Sequence, residues 1–114
     1  MGDSMNYVSV LGSTGSIGVN SLSVISSLSK KYRIYGLSCN KNISLLQKQI
    51  SSYKPKIAVI TNRRSYDNFI KKNGNMFHGT KIIFGEEGLE LISSHDKVST
   101  VIILSIYFPR IYFV

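Results

Sequence analysis

Short apolar runs alternate along this chain with stretches in which apolar residues return every three or four positions. Val8-Ser9-Val10-Leu11 predicts a buried strand that breaks on Gly12. A helix is expected from about Ser16 to Ser29, with Leu22, Ile25 and Leu28 at helical spacing. Ser21, Ser23, Ser26, Ser27 and Ser29 form its polar face. Arg33–Cys39 follows as a second strand, and Ile43, Leu46, Ile50 and Tyr53 mark an amphipathic helix that Lys54-Pro55 ends. Ile57-Ala58-Val59-Ile60 is apolar throughout, as suits a strand covered on both faces. A third helix is expected from Ser65, with Tyr66, Phe69, Ile70 and Asn73 on one side and Asn73-Gly74-Asn75 as its stop. Lys81–Phe84 is a fourth strand. Glu86 and Glu87 open a fourth helix where its dipole favours acids, and Leu89 and Ile92 supply the apolar side. A fifth strand is expected over Val98–Ser105. Such alternation predicts the α/β class: a Rossmann-like three-layer αβα domain with a mostly parallel sheet of about five strands.

The first strand-to-helix turn carries the candidate chemistry. Gly12, Gly15 and Gly18 stand three apart, with Ser13, Thr14 and Ser16 between them. Glycines let the backbone turn sharply and let a bulky anion approach it. The helix that follows presents unpaired N–H groups and the positive end of its dipole, a setting that suits a diphosphate. The alternative is a tight turn whose glycines serve packing alone. The spacing fits the broad dinucleotide class better than the strict GxGxxG form.

In such folds the end of the second strand faces the adenosine ribose. Here that segment is Ser38-Cys39-Asn40-Lys41-Asn42, without an acid. A cation among neutral hydrogen-bonding groups favours a 2′-phosphate, hence NADP over NAD. The competing account makes Asn42 a helix cap and Lys41 a solvated cation.

At 114 residues the chain amounts to one domain. Its formal charge of +8 comes from scattered pairs, among them Lys30-Lys31 and Lys71-Lys72, expected to close their helices. No nucleic-acid signature accompanies the charge, so a nucleic-acid partner is not expected. Cys39 is the only cysteine, which excludes a disulfide framework and a thiolate metal set. It is expected to pack as a small buried group at a strand end. His78 and His95 lack metal-ligand spacing. The start, Met1-Gly2-Asp3-Ser4-Met5-Asn6, does not resemble a signal peptide, and no membrane partner is expected.

Leu11-Gly12-Ser13-Thr14-Gly15-Ser16-Ile17-Gly18, then Asn40-Lys41-Asn42, then Lys54-Pro55-Lys56 leading into a strand, closely resemble one family. They look like the N-terminal domain of 1-deoxy-D-xylulose 5-phosphate reductoisomerase, over about residues 7 to 100. Gly85-Glu86-Glu87-Gly88-Leu89 resembles that family's glycine-bounded helix start. The resemblance implies that Thr14, Gly15, Ser16 and Ile17 hold the NADPH diphosphate, and that Asn40, Lys41 and Asn42 hold the 2′-phosphate end. Position 40 is commonly glycine in the family; asparagine keeps a small polar group there. The implied reaction rearranges 1-deoxy-D-xylulose 5-phosphate and reduces the product with NADPH to 2-C-methyl-D-erythritol 4-phosphate, in isoprenoid biosynthesis. It needs Mg2+ or Mn2+. The resemblance further implies a homodimer in the bacterial cytoplasm, a plastid or an apicoplast.

The pattern departs from the family after Val101-Ile102-Ile103. The family's metal ligands, phosphate-binding residues and lid belong to a later region, so no catalytic or metal residue is assigned and the chain alone is expected to be inactive. The expected organisation is an NADP-binding domain over residues 1–105 and an aberrant apolar tail over 106–114. That tail is too short for a membrane span and is interrupted by Pro109-Arg110. It is either a non-native end on a truncated or mis-spliced enzyme, or a segment that docks on a partner subunit. Two other classes share the turn. A semialdehyde dehydrogenase cofactor domain would need a downstream nucleophilic cysteine, and Cys39 stands at the wrong end of strand two. A non-catalytic nucleotide-sensing or nucleic-acid-binding module would use the positive charge.

Overall fold

The computed structural model describes residues 6–28 and 30–103, with the side chain of Ile103 excepted. Its elements are β1 (Asn6–Leu11), α1 (Ser16–Ser27), β2 (Tyr32–Cys39), α2 (Ile43–Tyr53), β3 (Ile57–Ile60), α3 (Arg63–Asn73), β4 (Met76–Phe77), β5 (Thr80–Phe84), α4 (Gly85–Ser94) and β6 (Val98–Ile103). The sheet has six strands in the order β4-β5-β3-β2-β1-β6. All pairings are parallel except β4 with β5.

From β1 the chain steps through β2 and β3 to β5 in one direction, then returns past β1 to place β6 on its other side. With right-handed crossovers, steps in one direction put their helices on one face, and the return puts its helix on the other. The packing agrees. Leu22 of α1, Leu46 and Ile50 of α2 and Phe69 of α3 share a core with Val8, Val10, Leu37 and Ile60. Leu89 and Ile92 of α4 meet Leu11, Tyr35, Ile57 and Val59 on the opposite face. Three layers result. Reversal at β1 makes a switch point, and its crevice opens where β1 and β6 end.

The short antiparallel β4, paired Met76 with Lys81 and Phe77 with Thr80, is an addition to the expected strands. His78 at φ 49 and Gly79 at φ 83 form its turn. α3 begins at Arg63, two residues before the expected start, because the Asn62 side chain accepts from the Ser65 N–H at 2.9 Å and caps it. Lys71 and Lys72 lie in the last turn of α3 as expected, whereas α1 has no basic residue in its last turn. Lys30 and Lys31 follow its end. Leu28, expected on the apolar side of α1, is 48% exposed, and only Leu22 of that series is fully buried. The expected helix end at Ser29, strand end at Leu104–Ser105 and apolar tail lie outside the described residues.

Cys39 ends β2 fully enclosed, and burial pushes its thiol up to about 12. A thiolate is the reactive form, so at pH 8 the folded chain should react with iodoacetamide at least about tenfold more slowly than the unfolded chain. The sign also fixes an alkaline effect. The folded thiol keeps its proton while the unfolded one ionises, so this contribution to stability is complete below the ordinary thiol pKa and falls as pH rises toward 12. Equal alkylation rates with and without denaturant would contradict the burial.

Candidate functional site

Gly12 leaves β1 at φ 82, a left-handed conformation open to glycine at little strain, and so turns the chain out of the sheet. The next strand holds the turn in place. The Gly12 N–H donates to Ser38 Oγ at 2.9 Å, and the Ser13 N–H donates to the Ser38 carbonyl at 2.8 Å. Ser13 is fully buried and clamped from α2: its Oγ donates to Gln49 Oε1 at 2.7 Å, while Gln49 Nε2 donates to the Ser13 carbonyl at 2.8 Å. The hydroxyl has one proton, and this shorter contact takes it in preference to the Ser38 carbonyl at 3.2 Å.

The glycines have different tasks. A Cβ on Gly18 would lie 2.5 Å from the Gly12 oxygen and 2.7 Å from Ser13 backbone atoms, so α1 packs directly on the turn there. Gly15 is the N-cap of α1 at φ −72, and a Cβ there would meet only the Gly12 oxygen at an ordinary 3.6 Å. The fold therefore does not demand glycine at position 15. α2 and α3 are capped by Asn42 and Asn62, but α1 has no side-chain cap. Its first backbone bond runs from Val19 N–H to the Gly15 carbonyl. Among the described residues the N–H groups of Thr14, Ser16 and Ile17 have no protein partner. Gly15, Ser16 and Ile17 are exposed and Thr14 half-buried. The result is an open ring of donors at the positive end of a helix.

Asn40, Lys41 and Asn42 follow β2, the neighbour of β1, and all three are exposed at the same edge of the sheet. The structure thus brings both sequence-predicted groups to one side. Asn42 Oδ1 accepts from the Leu45 N–H at 3.2 Å, so its carbonyl caps α2 and its amide NH2 remains outward. No carboxylate stands in this segment, which leaves Lys41 as its charge.

Sequence reasoning missed Gln49. A glutamine in an amphipathic helix suggests the wet face, yet Gln49 is one position before Ile50 and three after Leu46, on the buried side. That spacing was the available signal.

The described residues contain no group of three His, Cys, Asp or Glu able to hold a metal ion. The metal implied by the resemblance is therefore not assigned to them. No helix among them is long and apolar enough to cross a membrane.

A mostly parallel sheet with an uncapped, glycine-opened helix at its switch point defines the Rossmann-like α/β class. The family model for 1-deoxy-D-xylulose 5-phosphate reductoisomerase matches residues 8–106. The chain belongs to that family. It is 35% identical over 98 residues to reductoisomerase 1 of Bacillus thuringiensis, covering 86% of this chain and 25% of the relative. The chloroplastic enzyme of Oryza sativa is 30% identical over 100 residues, covering 88% and 21% respectively. A crystal structure of DOX-P reductoisomerase with NADPH, fosmidomycin and magnesium superposes with a TM-score of 0.72 at 28% identity, over 85% of this chain and 24% of the other. The chain thus spans about a quarter of the length of these relatives. They include bacterial and chloroplastic proteins.

Proposed function

We propose that this chain is the NADPH-binding domain of a 1-deoxy-D-xylulose 5-phosphate reductoisomerase, extending over residues 1–105. Thr14, Gly15, Ser16 and Ile17 receive the diphosphate, and Asn40, Lys41 and Asn42 the 2′-phosphate of the adenosine. The observation that carries this reading is the uncapped start of α1, where free N–H groups surround a glycine that the fold itself does not need. The residues fit the group: donors face outward, and no carboxylate opposes a 2′-phosphate.

NADPH supplies hydride when bound. The chain's own residues bind and orient it. Main-chain amides of Thr14, Ser16 and Ile17 donate to phosphate oxygens, Ser38 and Gln49 keep the turn from moving, and the Lys41 ammonium selects the extra phosphate. The whole enzyme's reaction, reductive rearrangement of 1-deoxy-D-xylulose 5-phosphate to 2-C-methyl-D-erythritol 4-phosphate with Mg2+ or Mn2+, is the activity this domain serves. A paired assembly and a bacterial cytoplasmic, plastid or apicoplast address follow from the family alone.

NADPH should raise the melting temperature of the chain in a saturable way. Lys41→Glu should weaken NADPH about tenfold or more while changing NADH less than about twofold, since a tenfold loss corresponds to about 1.4 kcal/mol and only NADPH has the extra phosphate. Equal losses for both cofactors would remove the assignment of Lys41 to the 2′-phosphate, and no NADPH response in a folded chain would remove the function.

A further inference from the structure

At the opposite end of the sheet, Tyr7, Tyr35, Lys56, His95 and Lys97 line a cavity of about 210 Å³. Tyr7 and Gly12 are five residues apart along β1, roughly 16 Å at strand rise, so this cavity is separate from the glycine turn.

The fold places an extra aromatic there. Val8 pairs with Ile34 and Ser9 with Gly36, so Tyr35 is skipped in the ladder with β1, while its carbonyl still accepts from the Lys56 N–H at 2.9 Å. Tyr35 and Gly36 then face α4 in succession: Tyr35 packs in the cluster of Leu89 and Ile92, and a Cβ on Gly36 would meet Ile92. Tyr35 as a residue is 7% exposed, and its hydroxyl, at the wall of this open cavity, has no hydrogen-bond partner among the described residues. His95 ends α4 and stacks on Tyr35 with ring centroids 4.6 Å apart. Its Nδ1 accepts the Lys97 N–H at 3.1 Å, which leaves Nε2 as the free, proton-bearing nitrogen of the neutral ring. Tyr7 meets Tyr35 edge-on at 6.4 Å.

The charges are of one sign. Lys56 and Lys97 have no carboxylate partner among the described residues, and Asp96, beside Lys97 in sequence, pairs with neither. The carboxyl end of α4 brings about half a negative charge to the same region, which two full ammonium charges exceed. An unpartnered hydroxyl, an imidazole N–H and two free ammonium groups around one cavity form a set of donors without an anion.

We propose that this cavity is a second anion site, taking a phosphate-class oxyanion, as the free ion or as a small monoester, on Lys56, Lys97, Tyr35 and His95. The proposal does not depend on NADPH binding.

The chain has two histidines, so imidazole resonances provide a local probe, with His78 as an internal reference. Inorganic phosphate and glycerol 2-phosphate are each titrated into the full chain against chloride of equal ionic strength. The His95 signals should shift saturably with at least one of the two, and the His78 signals should not. A response to phosphate alone assigns the free ion; a response to the ester extends the site to monoesters. The lysines are exposed, so the Lys56→Gln/Lys97→Gln variant should fold and bind at least about tenfold more weakly. Tyr35→Phe should weaken binding about threefold or more while His95 stays stacked. A His95 shift shared with chloride, a shift that survives the double lysine replacement unchanged, or no shift from either ligand would overturn the proposal.

Discussion

Gly18→Ala should lower the stability of the domain by about 2 kcal/mol even though alanine is the better helix former. The new methyl group would stand 2.5 Å from the Gly12 oxygen and 2.7 Å from the Ser13 Cα and carbonyl carbon, and all three belong to backbone. No rotamer change relieves such a contact. Overpacking against backbone costs about 3 kcal/mol or more, of which the gain in helix propensity offsets about 1. For a domain of this size the net loss corresponds to a fall in melting temperature of roughly 10 °C. Gly15→Val is the informative contrast. Position 15 has an ordinary φ and an ordinary contact distance, so the fold should lose no more than about 1 kcal/mol, a capping term. NADPH binding should nevertheless disappear, because side-chain bulk would stand among the free amides of α1. Thermal melts and NADPH titrations on the two variants separate a packing glycine from a binding one. A Gly18→Ala chain as stable as its parent would refute the close packing of α1 on the turn.

How far the sequence announced this arrangement depended on the physics of each segment. β3 was legible residue for residue, since Ile57–Ile60 is apolar on both faces and bounded by polar positions. β4 was not. Two residues carry no period, and Asn73-Gly74-Asn75 marks a stop without saying that a hairpin follows. The start of α3 was obscured by Arg63 and Arg64, cations at the positive end of a dipole. Asn62 offsets them by capping, and Arg63 Nε meets Asp67 Oδ2 at 3.2 Å in an exposed pair of small value. At the site, Gly12–Gly18 and Asn40–Asn42 are contiguous motifs, so their approach could be read from the strand order expected of the fold. The clamp that steadies the turn joins residues 36 positions apart. No local pattern encodes it.

Gln49→Leu is expected to cost about 2 kcal/mol, a large effect for a substitution that nearly preserves volume. Leucine suits the buried face of α2 but cannot donate to the Ser13 carbonyl or accept from its hydroxyl. The hydroxyl has a second acceptor in the Ser38 carbonyl at 3.2 Å, so it is not stranded. The Ser13 carbonyl loses the Nε2 donor, and leaving a buried acceptor unmade costs about 1–3 kcal/mol. Ser13→Ala removes the other half of the clamp and should cost about 1 kcal/mol, because its N–H bond to Ser38 survives. In the double variant the losses should fall short of their sum by about 1 kcal/mol, the coupling of the Oγ–Oε1 bond. Denaturant melts on the four chains measure it. Since the clamp fixes the peptide that precedes the open amides of α1, Gln49→Leu should also weaken NADPH several-fold without altering the preference over NADH, which belongs to Lys41. A coupling indistinguishable from zero, with NADPH affinity intact, would mean that Gly12 and Ser38 hold the turn without help from α2.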